Sequence, residues 1–126
     1  MRLITLLPVL CVCAVAPAVA GPFEDGPAAA ERGDYAKALR LWRPLADKGD
    51  AVSQRNLRIM YFNGRGVPQD YVLAHMWCNL AASRFDASQK EGREGAVKHR
   101  DRIAAKMTPA QIAEAQKLER EWKPKR

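Results

Sequence analysis

Few side chains in this sequence have the type and spacing that chemistry requires. The 126 residues contain two histidines, His75 and His99, and three cysteines, Cys11, Cys13 and Cys78. His75 and Cys78 share one face if their segment is helical, but two ligands do not complete a metal site, and no spacing places His99 beside them. No order of serine, histidine and acid typical of a hydrolase is present. The sequence therefore predicts no catalysis, no metal and no other cofactor.

A glycine-rich segment at residues 63–68, Asn-Gly-Arg-Gly-Val-Pro, is a second feature with a chemical interpretation. Glycine-rich loops hold phosphate groups in nucleotide-binding proteins, but those loops end in Gly-Lys-Ser or Gly-Lys-Thr and follow a β-strand. This segment has neither feature. We interpret it as a connector between two helices, because glycine, asparagine and proline are typical turn residues.

The first twenty residues have the features of an export signal. Arg2 adds a positive charge, residues 3–16 are almost entirely apolar, and residues 18–20 (Ala-Val-Ala) form a small-x-small cleavage site. We expect cleavage after Ala20 and an exported protein, periplasmic or secreted, that does not span the membrane; an uncleaved anchor is the alternative. Cleavage leaves Cys78 as the last cysteine, so no internal disulfide is expected. This thiol is either a small buried side chain or, alternatively, a reactive or intermolecular one.

The formal net charge is +7, and the basic excess lies in the last third of the chain. From Arg84 onward there are 12 basic and 7 acidic residues, including a basic tail at residues 123–126 that we expect to be solvated. One interpretation is that this charge only keeps the chain soluble. The alternative is that the C-terminal third binds an anionic envelope surface, lipid or polysaccharide. Nucleic acid is not expected as a partner, because export separates the chain from it.

Four aspartates define a repeat in the remaining sequence. Asp34 and Asp70 are 36 residues apart, and so are Asp50 and Asp86. An aspartate just before an apolar helical pattern is a preferred N-cap, because its carboxylate accepts hydrogen bonds from N–H groups of the first turn. Thr108, followed by proline and, three residues on, by glutamine, is a fifth cap. The predicted helices cover residues 22–32, 34–48, 50–63, 70–83, 86–107 and 108–122.

Apolar stripes follow the same repeat. The stripe of the second helix recurs in the fourth helix, 36 residues later and within one position, and the last helix has a single stripe on a polar background. We expect Trp42, Trp77 and Trp122 to lie in the core. The pattern predicts an all-α fold in which about six helices stack as antiparallel pairs into a short α-solenoid.

These residues resemble the Sel-one-like (Sel1-like) repeat family, a relative of the tetratricopeptide repeat. The resemblance implies structural, non-catalytic roles for its signature positions. It also implies one helical-repeat domain at residues 21–126, with a partial repeat at 22–50, a full repeat at 51–86 and a degenerate C-terminal capping hairpin at 87–122. The signature positions are Leu57, Tyr61, Gly64, Gly66, Asp70, Ala74, Trp77, Ala81 and Ala82.

The resemblance further implies a non-enzymatic adaptor or scaffold that binds another protein, whose identity it does not give. The helix at 50–63 leaves Arg55, Arg58, Ile59 and Phe62 outside its apolar stripe. Arginine and aromatic residues are enriched at binding hot spots, so these four are candidates for partner binding. The alternative is that a neighbouring helix covers Ile59 and Phe62. Arg58 stands where the family usually has glycine, and we expect its head to reach solvent on a snorkelling stem rather than to hold the helices apart.

Overall fold

The computed structural model describes residues 26–85 and 87–126. The predicted export signal and the predicted cap Asp86 lie outside the described residues. Within these two ranges the chain forms six α-helices and one 3-10 turn and contains no strand, which confirms the predicted all-α solenoid. The helices are α1 (Gly26–Glu31), α2 (Tyr35–Asp47), α3 (Ala51–Asn63), α4 (Tyr71–Arg84), α5 (Lys90–Ala104) and α6 (Pro109–Glu121).

Side-chain caps begin four of these helices as the sequence predicts. The carboxylates of Asp34, Asp50 and Asp70 each accept a hydrogen bond from the backbone N–H three residues ahead, at 3.1, 2.9 and 3.1 Å. Thr108 begins α6 and makes both hydrogen bonds of a capping box. Because the first turn of a helix has unpaired N–H groups, these side chains set where the helices begin.

The connector between α3 and α4 depends on two glycines. Gly64 and Gly66 have positive φ angles of 66° and 72°, a backbone conformation that residues with a side chain rarely adopt. A Cβ atom on Gly66 would lie 3.0 Å from both the Cβ of Tyr35 and the Cε of Met60. The N–H of Asp70 then donates to a carbonyl near the end of α3 at 2.9 Å. The segment is a helix connector, as predicted, and it folds α4 back along α3.

The central helix is α4, which packs against α3, α5 and α6. Eight of its residues are buried. A helix that is apolar on all sides needs neighbours on all sides, and the three packed helices meet this requirement. Trp77 is the largest fully buried side chain, with 1% exposure. The remaining core side chains of α2 and α3 are Ala38, Trp42, Ala46, Leu57, Met60 and Tyr61.

The predicted helix at residues 86–107 is too long. Residues 87–89 form a 3-10 turn, and α5 covers only Lys90–Ala104. Gln89, at the N-cap position, makes no side-chain cap hydrogen bond. Gly92 and Gly95 each cost about 1 kcal/mol relative to alanine inside a helix. With weak residues in its first turns and no cap, the helix starts late.

The C-terminal residues turn back onto the helices. Trp122, predicted to be a core residue, is only partly buried because it follows the last turn of α6. Its ring lies 5.1 Å from the guanidinium of Arg84. The backbone N–H of Lys125 donates to the Asp47 carbonyl at 2.7 Å, and the Lys125 ammonium lies 3.5 Å from the Asp47 carboxylate. The basic tail is therefore exposed, as predicted, and is attached to the end of α2 through Lys125. Over the described ranges, none of the helices is long and apolar enough to cross a membrane.

Candidate functional site

A groove lies between α3 and α5, which both pack against α4. Two adjoining cavities of about 380 and 150 Å³ follow this groove, and Arg58 and His99 line both of them. We name it the α3–α5 groove. Cys78 and Ala81 of α4 line the smaller cavity. The residues that define the groove are Arg55, Arg58, Ile59 and Phe62 on α3 and His99 and Arg102 on α5.

Arg58 is the most unusual side chain of the groove. The residue as a whole is 8% exposed, yet none of its guanidinium nitrogens is among the described buried atoms that lack a hydrogen-bond partner, so the head keeps contact with solvent. Arg58 lines both cavities, whose other walls include residues of α4 and α5. No acceptor in the described part of the chain makes a hydrogen bond or ion pair with it. Burial, followed by the charge of Arg55, lowers the pKa of Arg58, yet a guanidinium stays protonated in proteins.

The charges around Arg58 are mostly of the same sign. Arg55 and Arg102 also line the groove, and the only acidic side chain among its described lining residues is Glu91, in the smaller cavity. Burial, together with the charges of Arg58, Arg102 and Arg55, lowers the pKa of His99. Because its ordinary pKa is about 6.5, His99 is neutral at pH 7. The groove thus carries a positive field that no described lining residue of the larger cavity offsets.

One wall of the larger cavity is apolar. Ile59, Phe62 and Ile103 line it beside the basic groups. Phe62 is partly buried, and its ring centroid lies 5.6 Å from that of Tyr71 in a tilted arrangement. Phe62 and Ile59 therefore keep a half-exposed surface inside the groove. A site of this kind can receive an apolar group and an anionic group side by side.

Cys78 does not add reactivity to the groove. Its side chain is 1% exposed, and its Sγ donates to the carbonyl of Ala96 at 3.0 Å. Burial raises the pKa of Cys78 to about 11, although Arg58 and Arg100 act in the opposite direction. Since the thiolate is the nucleophile, a thiol with this pKa is almost entirely unreactive at pH 7. The interpretation of Cys78 as a small buried side chain is confirmed.

The other histidine belongs to a buried polar network. The Nδ1 of His75 lies 3.0 Å from Oε1 of Glu119, and Asn79 donates to the other carboxylate oxygen at 2.5 Å. Because a carboxylate only accepts, Nδ1 carries the proton. His75 is 4% exposed, so this pair holds α6 against α4 and offers no access to a substrate. In the described part of the chain, no three histidine, cysteine or acidic side chains are grouped as metal ligands.

A separate cavity of about 560 Å³, outside the α3–α5 groove, lies between the start of α4 and α6. Val72, Leu73 and Leu118 line its apolar part, and Asp70 and Glu114 give it acidic edges. The carboxylate of Asp70 is already engaged as the α4 cap. None of the described buried polar atoms that lack a hydrogen-bond partner belongs to its lining residues, so nothing buried there indicates a ligand.

The structure brings the four predicted partner-binding residues together. Arg58, Ile59 and Phe62 line the larger cavity, and Arg55 lines the smaller one beside Arg58. Sequence reasoning missed the α5 side of the groove, which supplies His99 and Arg102. Their spacing of three residues places them on one helical face, but only the tertiary fold shows that this face is opposite α3. Of the signature residues only Ala81 lines the groove, and the others lie in the core, the glycine connector and the α4 cap.

Antiparallel helices stacked in sequence, with a groove on their surface, define an α-solenoid of the helical-repeat class. The family model of the Sel1 repeat matches residues 23–50, which contain α1 and α2, and residues 51–84, which contain α3 and α4. The chain belongs to the Sel1 repeat family. No curated protein and no solved structure matches it. The groove lies where the second matched repeat meets α5, so one of its walls comes from outside the matched residues.

Proposed function

We propose that the protein is an exported adaptor or scaffold that binds another protein in the α3–α5 groove. Sel1 repeats typically mediate protein–protein interaction and are not catalytic. The observation that supports this groove over the rest of the surface is the joint presence of Arg58, whose guanidinium meets the groove without an acceptor among the described residues, and a partly buried aromatic side chain, Phe62. Arginine and aromatic residues enclosed in a pocket are the typical centre of a protein interface.

Site-specific photo-crosslinking in cells tests this proposal. A photoreactive amino acid replaces Asn63, which is exposed and lines the larger cavity, and in a second strain it replaces Gln116, which is exposed on α6 outside the cavities. We expect one protein to be crosslinked from position 63 at a much higher yield than from position 116. Equal yields from both positions, or crosslinks to lipid alone, would contradict the groove as the binding site.

Export and a periplasmic or secreted location belong to the same proposal. They are supported by the charge, the apolar run and the small-x-small motif of residues 1–20. N-terminal sequencing of the protein recovered from the cell envelope is expected to begin at Gly21. A sequence that begins at Met1 in the membrane fraction would instead support the uncleaved anchor.

A second candidate is association with an anionic envelope surface. It is supported by the basic excess of the last third and by the exposure of Lys98, Lys117 and Arg120 on α5 and α6. Charge-driven binding to a lipid surface weakens steeply with salt, whereas a groove that binds only a protein segment gives no flotation at any salt concentration. Flotation with phosphatidylglycerol vesicles at low and high salt separates the two. Salt-sensitive flotation that Lys117→Gln and Arg120→Gln abolish would favour the second candidate.

A further inference from the structure

We propose that the α3–α5 groove recognises an acidic protein segment, and that Arg58 pairs with a carboxylate that lies next to an apolar side chain of that segment. This inference rests on the proposed function and specifies its partner. It starts from Arg58, which is largely covered as a residue, has no acceptor among the described residues, and has a guanidinium that still meets solvent in the groove. A guanidinium confined in this way can form charge-assisted hydrogen bonds with an anion that replaces its water. A ligand that enters the groove and accepts from the guanidinium gains these bonds.

The groove selects the charge of the ligand. Arg55, Arg58 and Arg102 contribute only donors, and neutral His99 adds no negative charge. A guanidinium has a planar fork of donors that matches carboxylate and phosphate oxygens in pairs. An anion in the larger cavity therefore gains both hydrogen bonds and a favourable field.

The walls of the groove favour a carboxylate on a protein segment. Glu91 lines the smaller cavity and repels a dianionic phosphate more than a singly charged carboxylate. The apolar wall of the larger cavity can contact an apolar side chain that lies next to the carboxylate in the bound segment. This wall consists of Ile59, Phe62 and Ile103. The volume of about 380 Å³ is at the low end of ligand sites, which suits one or two side chains of a bound segment. These features together match an Asp or Glu adjacent to an apolar residue.

Selection of peptides tests this recognition directly. A random-peptide display library is selected on the purified protein, and the most frequent peptide is synthesised together with a twin in which its Asp or Glu becomes the amide. We expect the recovered peptides to share an acidic residue beside an apolar one. The amide twin should bind at least about tenfold more weakly, as expected for loss of a charge-assisted pair. Recovery of no peptide, or of peptides without an acidic consensus, would overturn the inference.

Variants at Arg58 provide the second arm. Arg58→Met keeps the length of the side chain and should weaken peptide binding about tenfold or more, with a melting temperature close to that of the wild type, because the guanidinium has no acceptor among the described residues. Arg40→Met removes an exposed arginine of α2 and serves as the matched control, with unchanged binding. If Arg58 had only a structural role, Arg58→Met would instead lower the melting temperature and leave the affinity of the folded protein for the peptide unchanged. That result would overturn the inference.

The pH dependence gives a third readout. The charged and titratable groups that line the two cavities with His99 are Arg55 and Arg58 on α3, Cys78 on α4, and Glu91 and Arg102 on α5. A bound carboxylate stabilises protonated His99, whose pKa in the free protein is lowered from about 6.5, so peptide affinity should increase as the pH falls through and below this ordinary value. His99→Gln should remove this increase. An affinity that is independent of pH in the wild type would contradict a carboxylate beside His99.

Further controls separate this inference from its competitors and from the proposed function. Displacement of the peptide by inorganic phosphate, or Arg58-dependent flotation with phosphatidylglycerol vesicles, would assign the groove to phosphate groups and overturn the inference. If crosslinking from position 63 persists in Arg58→Met cells, the groove binds a protein without the carboxylate pair, and only the inference fails. If no protein is crosslinked from position 63 or from position 116, the proposed function fails as well.

Discussion

Replacement of Glu119 by alanine should remove much of the interaction that holds α6 on α4 and should lower the stability of the fold. The carboxylate accepts from Nδ1 of His75 at 3.0 Å and from the amide of Asn79 at 2.5 Å. Its side chain is 12% exposed and that of His75 is 5% exposed, so water replaces these bonds poorly. The change leaves two donors of α4 without an acceptor.

The magnitude follows from these two bonds. A hydrogen bond to a charged group contributes about 1.5–3 kcal/mol, and removal of one partner of a buried pair costs about 3–5 kcal/mol. Asn79 is only half-buried and regains some solvation, so we expect about 3 kcal/mol for Glu119→Ala. For a domain of about 100 residues, this loss lowers the melting temperature by about 10–20 °C. Glu119→Gln should lie in between, because its amide has one acceptor oxygen for two donors.

Thermal unfolding followed by circular dichroism measures these differences. Glu114→Ala is the matched control, because it removes an exposed carboxylate from the same helix. A double-mutant cycle with His75→Leu should give a coupling energy of about 1 kcal/mol or more. If Glu119→Ala melts at the same temperature as Glu114→Ala, the network does not hold α6, and the reasoning from its geometry is refuted.

Four further outcomes are expected. Gly66→Val should lower the free energy of unfolding in urea by about 2 kcal/mol or more, because its φ is 72° and its Cβ meets Tyr35 at 3.0 Å; an unchanged midpoint would contradict the strained connector. Gly95→Ala has open space for its Cβ and should stabilise α5 by about 0.5–1 kcal/mol in the same assay. Trp77→Ala should cost about 3–5 kcal/mol in thermal unfolding, and a wild-type melting curve would remove Trp77 from the core. At pH 8, the rate of alkylation of Cys78 should be about a hundredfold or more lower in the native protein than in urea, because burial raises its pKa to about 11. Peptide mapping after alkylation measures both rates.

Local chemistry explains why the helices were predictable. Asp34, Asp50, Asp70 and Thr108 act through hydrogen bonds to N–H groups three residues away, so their effect is visible in the sequence itself. The glycine connector is local in the same sense. Where local signals were weak, the prediction was less accurate. The start of α5 has glycines and no side-chain cap, and its boundary was placed several residues too early.

The groove was only half predictable, because it depends on contacts between distant parts of the chain. The spacing on α3 identified Arg55, Arg58, Ile59 and Phe62 as residues outside the core stripe. It did not show that α5 packs on the same central helix and faces them with His99 and Arg102. For the same reason, the sequence did not show that the solvent that the Arg58 head meets lies in a groove whose opposite wall is α5.

The contrast between Trp77 and Arg58 separates stability from recognition in this fold. Trp77 lies in the central helix, is covered by packed neighbours and contributes to stability mainly by the burial of its ring. Arg58, on the adjacent helix, is largely covered as a residue, but its guanidinium meets solvent in the groove and has no acceptor among the described residues. Its charge therefore forms no hydrogen bond or ion pair that would stabilise the fold, and its hydrogen bonds are open to a ligand. The combination of Arg58→Met and Trp77→Ala measures this difference, because the first should weaken binding without loss of stability and the second should weaken binding only through unfolding.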